Sequence, residues 1–352
     1  MENGHLLQLL PELLLPWFQE NQRDLPWRKD REPYHVWLSE IMLQQTRVEA
    51  VKGYYARFLD TLPDIQALAD AEEAQLLKLW EGLGYYSRVR NLQRAAKEIM
   101  STYNGTFPTD YTAIRALPGI GDYTAGAISS ICFDAPTPAV DGNVLRGITR
   151  LCDYYGCTDD QRVKKEISSE LSAIYPSAAG QFTQALMELG ATVCVPNGQP
   201  LCQSCPLAGI CLAKERNTVS LLPVRAEKKQ RKTQDLTVFL LTCGTEIAIR
   251  KRPKKGLLAG LYEFPHLPGR LTPEEIISAA EDWGLQPEYL EKIVGRNHIF
   301  THITWNMTGA RLHCGSKNDA FLWVTPEELQ TTYALPTAFR QFLADFGGNI
   351  HD

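Results

Sequence analysis

Two acidic residues sit in surroundings that set carboxyl chemistry apart. Glu40 lies in YHVWLSEIMLQQT, residues 34–46. Helical spacing puts Val36, Glu40 and Gln44 on one face, with Trp37 and Ile41 alongside. A carboxyl among apolar neighbours keeps its proton to a higher pH, because burial penalises the charged form. The plainer alternative, a glutamate on a solvated helix face, does not suit neighbours this apolar. Asp141 lies in AVDGNVLRG, residues 139–147, just ahead of a helical stretch. Its simplest role there is an N-cap, and the same position favours the anion. One carboxyl holding a proton and one kept anionic is the pairing that glycosidic bond cleavage uses. The acid protonates the leaving group while the anion stabilises or traps the oxocarbenium ion.

Two further stretches carry chemistry. VCVPNGQPLCQSCPLAGIC spaces Cys194, Cys202, Cys205 and Cys211 as C-x7-C-x2-C-x5-C within 18 residues. Pro196, Gly198, Pro200 and Pro206 allow the tight looping that would bring four thiolates to one site, so four unrelated cysteines is the weaker reading. Zinc and an iron–sulfur cluster both accept four thiolates, and spacing alone does not choose between them. The other five, Cys132, Cys152, Cys157, Cys243 and Cys314, read as small apolar core residues. LPGIGDYTAG, residues 117–126, sets Gly119 and Gly121 two apart ahead of a helix. Exposed N–H groups at a helix start make an anion site; a plain turn between packed helices fits the same residues.

The elements that must position these groups fall into two sets. From about residue 5 to 215 the spacing is helical, with segments at 34–51, 72–81, 86–101, 122–133, 143–152 and 179–193. The leucines at 6, 9, 10, 13 and 14 fit one helix face. Glu2, Pro11 and Pro16 argue against reading that apolar stretch as a signal peptide. Beyond Leu221, LPVRAEKKQRKTQD has no apolar periodicity and reads as an exposed linker carrying Lys228, Lys229, Arg231 and Lys232. LTVFLLTC and TEIAIRKR then read as paired strands, HITWNMTGARL and AFLWV as further strands, and 273–283 and 325–330 as helices. The 352 residues thus divide into a helical domain over 1–217, a basic linker over 218–235 and an α+β domain over 236–350. No segment approaches the roughly 20 apolar residues of a membrane span. Nine cysteines without an export signal favour metal binding over disulfides. The net charge of −5 excludes a general polycation but not a local basic face.

Taken together, SEIMLQQT, EGLGYYSR, LPGIGDYTAGA, VDGNV and the four-cysteine loop resemble the MutY family of adenine DNA glycosylases, within the helix-hairpin-helix superfamily. The resemblance implies an all-α helix-hairpin-helix glycosylase domain with an iron–sulfur cluster loop, followed by an α+β Nudix-like domain. It also implies excision of adenine mispaired with 8-oxoguanine or guanine in double-stranded DNA, by a cytoplasmic, nucleoid-associated monomer. The cofactor implied is a [4Fe-4S] cluster on Cys194, Cys202, Cys205 and Cys211, with a monovalent or divalent cation at the hairpin as a second candidate. By resemblance Glu40 protonates adenine N7 and Asp141 stabilises or captures the sugar cation, with Tyr123 and Asn143 assisting. Trp27, Arg28, Leu43 and Glu188 would line the pocket for the everted adenine. A base must leave the stack before its glycosidic bond is reachable. Gln45 and Tyr85 resemble the family's intercalating residues, and Gly119 and Gly121 would grip the backbone. Bifunctional relatives carry a lysine where Tyr123 stands; a tyrosine makes no imine, so strand cleavage should be weak or absent. The family's usual first cysteine spacing is one residue shorter, which leaves that loop's local geometry open.

In the second domain PEEIISAAEDWGL has Glu274, Glu275 and Glu281 but lacks the REUxEExGU signature, so recognition is a better reading than pyrophosphate hydrolysis. HIFTHITW resembles the family's Phe-Ser-His loop, with Phe300, Thr301 and His302 as the 8-oxoguanine readers. Threonine in place of serine keeps the hydroxyl but adds a methyl and stiffens χ1. RKRPKK at 250–255 is a candidate phosphate contact or a solvated hairpin. The rivals are an endonuclease III-like pyrimidine glycosylase, a non-catalytic mispair scanner and a Nudix hydrolase. The missing lysine, the two carboxyls and the incomplete Nudix signature oppose them in turn.

Overall fold

The computed structural model describes residues 1–227 and 230–346. Lys228 and Lys229 of the basic run, and the end of the second domain beyond 346, lie outside the described residues. The chain divides into two compact units. One comprises Met1–Asp70 and Asn91–Glu227; the other comprises Ala71–Arg90 and Lys228–Asp352.

Twelve α-helices precede the first strand among the described residues. They are α1 Leu10–Asn21, α2 Pro33–Leu43, α3 Val48–Thr61, α4 Ile65–Asp70, α5 Glu73–Leu79 and α6 Ser87–Thr102. Then come α7 Tyr111–Ala116, α8 Asp122–Phe133, α9 Gly142–Leu151, α10 Gln161–Ser172, α11 Ala179–Thr192 and α12 Leu212–Glu215. α1 buries Leu10, Leu14 and Phe18, one residue per turn, against the inner faces of α9, α10 and α11. α8 is buried from Thr124 through Ile131, which requires close neighbours on every side. Small residues supply the room: a Cβ on Gly126 would lie 2.3 Å from the Pro138 carbonyl, and one on Gly180 2.8 Å from the Ser130 carbonyl. The expected single helix over 34–51 is two helices. α2 is buried from Val36 through Met42 while α3 buries Val51, Tyr55 and Phe58, and the chain turns at 44–47 to present both faces inward.

In the second unit the strands are β1 Lys232–Cys243, β2 Glu246–Lys251, β3 Tyr262–Glu263, β4 His266–Pro268, β5 Pro287–Ile299, β6 Ile303–Cys314 and β7 Leu322–Val324. The helices here are α13 Pro273–Asp282, α14 Pro326–Thr331 and α15 Thr337–Arg340. The sheet order is β3-β2-β1-β6-β5, with β4 on β1 and β7 on β2. β1 runs parallel to β6, from Lys232 opposite Ile303 to Thr242 opposite His313. Its central run LTVFLLT is buried on both faces, as a continuous apolar strand in a covered sheet should be. Val238 and Leu240 face Phe339 and Phe342, while Phe239 and Leu241 face α13. β1 begins at Lys232, inside the stretch expected as linker. β5 was not expected at all: it lies at the sheet edge, half-exposed along its length, and its charged residues hide the alternation.

Candidate active site

The first unit brings the two acidic residues to one cavity of about 680 Å³. Glu40, on α2, is 6% exposed, and its Oε2 accepts a 2.7 Å hydrogen bond from the Tyr123 hydroxyl at the start of α8. Burial pushes the Glu40 carboxyl up to about 7; the nearby Asp141 adds to the rise, while the Tyr123 bond and Arg28 oppose it. Asp141 caps α9: its Oδ1 accepts from the backbone N–H of Asn143 and Val144 at 2.9 and 2.8 Å. Its Oδ2 accepts from the Asn143 amide at 2.7 Å. The helix-start N–H bonds favour the Asp141 anion, but they do not outweigh its burial. Burial raises its pKa, and the hydrogen bonds to Val144 and Asn143, with Arg146, pull it back. Among the described residues lining this cavity none is a lysine.

Glu188 of α11 and two arginines form another part of the lining. Glu188 is fully buried; Oε1 accepts from the Arg23 N–H and Nε at 3.0 and 2.7 Å, and Oε2 from Nη2 of Arg23 and of Arg28, both at 2.8 Å. Burial alone would raise this carboxyl, but the bonds from Arg23 and Arg28 together outweigh it and hold it at about 2. Trp27 and Arg28 come from a 3-10 turn over Pro26–Arg28, and Leu43 from the end of α2; all three line the cavity. Arg23 carries no local sequence signal, since its partner lies 165 residues away.

The hairpin between α7 and α8 closes the same cavity, which Gly119, Gly121 and Gln45 also line. Gly119 has φ 79°, and a Cβ there would sit 2.6 Å from Asn91 Cβ, so the fold itself demands glycine. Gly121 differs: its φ is −95° and a Cβ would meet nothing within 4 Å. The Ile120 carbonyl is already taken by Arg115 Nη1 at 3.1 Å. Gln45, in the break after α2, is exposed with φ 59°, a left-handed conformation that a non-glycine residue adopts only when held there.

Cys194, Cys202, Cys205 and Cys211 line one pocket. The Leu201 N–H donates to the Val193 carbonyl at 3.0 Å, so the chain returns beside Cys194 and the extra residue is absorbed in the loop over 195–200. Gly147, inside α9, also lines this pocket, and a Cβ there would meet open space. Glycine weakens a helix interior, so its presence beside the thiols fits a group larger than the side chains now present. Among the described residues no three His, Cys, Asp or Glu side chains are grouped so as to hold a metal ion. Arg146 ties this loop to the acid-lined cavity, and Arg150 braces the loop itself. Arg146 donates to Asn143 Oδ1 at 2.8 Å and to the Cys194 carbonyl at 2.7 Å, and Arg150 Nη1 reaches Cys194 Sγ at 3.2 Å. Of the remaining cysteines only Cys152 and Cys314 are buried; Cys132, Cys157 and Cys243 are half-buried, short of the core placement expected for all five.

In the second unit Phe300, Thr301 and His302 form the turn joining β5 to β6. Phe300 packs edge-on against Trp305 at 4.8 Å and His298 at 4.5 Å, which leaves Thr301 and His302 exposed. The Thr301 hydroxyl is 2.8 Å from that of Tyr85. Of the 250–255 run, Arg250 and Arg252 are both spent on Glu263, which is 3% exposed, so they are not a free phosphate-binding pair.

Residues 38–173 match the HhH-GPD superfamily base excision DNA repair protein family, and residues 237–345 match the NUDIX domain. Fold and site therefore define a helix-hairpin-helix DNA glycosylase carrying a Nudix-like domain. A rat adenine DNA glycosylase is 34% identical over 93% of this chain and 76% of its own length. A thermostable thymine-DNA glycosylase of known structure has a TM-score of 0.54 at 24% identity, covering 61% of this chain and all of its own. Endonuclease III trapped in a covalent DNA intermediate has a TM-score of 0.50 at 25% identity, covering 59% of this chain and 94% of its own. The chain belongs to the adenine DNA glycosylase family. It is an N-glycosylase of base excision repair, and it binds DNA.

Proposed function

We propose that this enzyme hydrolyses the N-glycosidic bond of adenine paired with 8-oxoguanine or guanine in duplex DNA, without an amine nucleophile. The observation that carries the reading is the shared cavity in which Glu40 rises to about 7 beside Asp141. Half protonated near neutrality, Glu40 gives its proton to adenine N7 as the bond breaks. Asp141, fixed by Asn143 and its own helix start, faces the developing sugar cation and neutralises it. Tyr123 keeps Glu40 oriented through its hydroxyl. Trp27, Arg28, Leu43 and Glu188 hold the everted base. Gln45 and Tyr85 enter the stack, and Gly119 and Gly121 let the phosphate backbone approach α8. Phe300, Thr301 and His302 read the opposite 8-oxoguanine.

Cys194, Cys202, Cys205 and Cys211 would hold a [4Fe-4S] cluster, whose contribution when bound is to fix the surrounding loop. The four thiols lining one pocket, with open space beside Gly147, leave room for such a group. An absorption spectrum decides: a broad visible band for iron–sulfur, none for zinc. Single-turnover adenine release from A:8-oxoguanine and A:G duplexes, beside thymine-glycol and nucleotide controls, tests the substrate. Release from neither adenine duplex would end the reading.

A further inference from the structure

The turn that carries Tyr85 is restrained more tightly than an exposed loop requires. Gly82, Gly84 and Tyr85 have positive φ of 100°, 71° and 48°. Glycine takes such values freely, whereas a tyrosine reaches them only where its surroundings over-determine the backbone. Tyr85 is 48% exposed, so burial of its ring is not what fixes it. The Tyr85 hydroxyl meets that of Thr301 at 2.8 Å, which holds the ring tip, and Arg88, in the first turn of α6, restrains the backbone of the turn. Its Nη2 donates to the carbonyls of Leu83 and Gly84, each at 3.0 Å. Trp80 Nε1 donates to the same Gly84 carbonyl at 3.1 Å. The guanidinium sits over the Trp80 ring at 5.2 Å and over the Tyr85 ring at 5.6 Å. Arg88 is itself only 9% exposed, and a cation withdrawn from water beneath a surface turn is costly unless its fork is used.

We propose that Arg88 is a positioning residue for Tyr85, locking the left-handed turn so that the aromatic ring is presented outward before DNA arrives. The inference rests on the reading of Tyr85 as a residue that enters the base stack. Without the lock, the turn must be ordered during binding, and the added cost falls on distortion of the DNA rather than on bond cleavage.

Arg88→Met keeps an apolar stem over the rings and removes the donors and the charge. Tyr85→Ala removes the ring. The test places 2-aminopurine in the lesion strand beside 8-oxoguanine and follows its unstacking fluorescence on mixing with the full-length protein. Thermal stability is measured in parallel. Tyr85→Ala should abolish the fluorescence rise. Arg88→Met should slow it about tenfold, and the double variant should behave as Tyr85→Ala alone. Unfolding would appear in the melt; if Arg88→Met does not fold, Arg88→Gln, which removes the cation over both rings, is judged on the same terms. If Tyr85→Ala leaves the rise intact, the stack-entry reading fails and this inference falls with it. If Tyr85→Ala abolishes the rise while the folded Arg88 variant keeps the wild-type rate, stack entry stands and the role of Arg88 is overturned.

Discussion

Two regions of the acid-lined cavity hold the same functional group in opposite states. On the α2 side Glu40 has one hydrogen-bond donor and apolar neighbours, and burial drives it up to about 7. On the α11 side Glu188 is just as deeply buried, yet four donors from Arg23 and Arg28 hold it at about 2. Burial is common to both, so it does not decide the outcome. The count of charged donors does. One carboxyl is thereby fitted to give a proton near neutrality, and the other to stay anionic and anchor Arg23 and Arg28.

That contrast breaks most severely at Glu40. Glu40→Gln keeps the Tyr123 hydrogen bond but removes the proton, and single-turnover adenine release should fall roughly 10²- to 10⁴-fold. At Glu188, Arg23→Met removes two of the four donors, leaving the Arg23 backbone N–H and the Arg28 bond. It leaves a buried carboxylate under-compensated, and unfolding should cost about 3–5 kcal/mol less than in wild type.

The two glutamates also give opposite pH signatures. The folded-state pKa of Glu40 lies above its ordinary 4.5, so the folded protein binds the extra proton between that value and about 7. Its stability contribution is therefore most favourable below the ordinary value and declines as pH rises through this window. Glu40→Gln should stabilise the protein by up to about 3 kcal/mol above pH ~7, with little gain in acid. For Glu188 the folded pKa is depressed, so its contribution is present above the ordinary 4.5 and lost as pH falls toward about 2. Denaturant melts of wild type, Glu40→Gln and Glu188→Gln across pH check both signs.

The smallest expected effect separates the two hairpin glycines. Gly121→Ala meets open space and should leave thermal stability unchanged while weakening DNA binding a few-fold. Gly119→Ala must strain φ 79° and displace Asn91, so it should lower stability by about 1–2 kcal/mol. Equal losses of DNA affinity without any stability difference would contradict this division.

Much of this arrangement was readable from residue types. α8 falls on the expected 122–133 because Gly119, Gly121 and Asp122 mark its start. Glu40 and Asp141 were recognisable from their neighbours, and the cysteines from their spacing. The turn at 44–47 was not, because no glycine or proline marks it and α2 is apolar all round, so no face change shows where it ends. β5 escaped because Tyr289, Ile293 and Ile299 sit at exposed positions while Lys292 and Arg296 take half-buried ones, which inverts the usual alternation. Arg23, Arg146 and Arg88 were invisible for a different reason. Arg23 and Arg146 act on groups distant in sequence, and Arg88 on the nearby carbonyls of Leu83 and Gly84, which carry no side-chain signal. Asp141 shows the limit of local reasoning: the cap was foreseen, but the burial that raises its pKa belongs to the surrounding fold.

The rate of adenine release under single-turnover conditions, followed from about pH 5 to about pH 9, tests the central claim most directly. The wild-type rate should fall as pH rises through about 7, with the slope set by loss of one proton, and Glu40→Gln should be slow and insensitive across that range. A wild-type rate that stays level through neutrality, or a Glu40→Gln enzyme that keeps the wild-type rate, would contradict it.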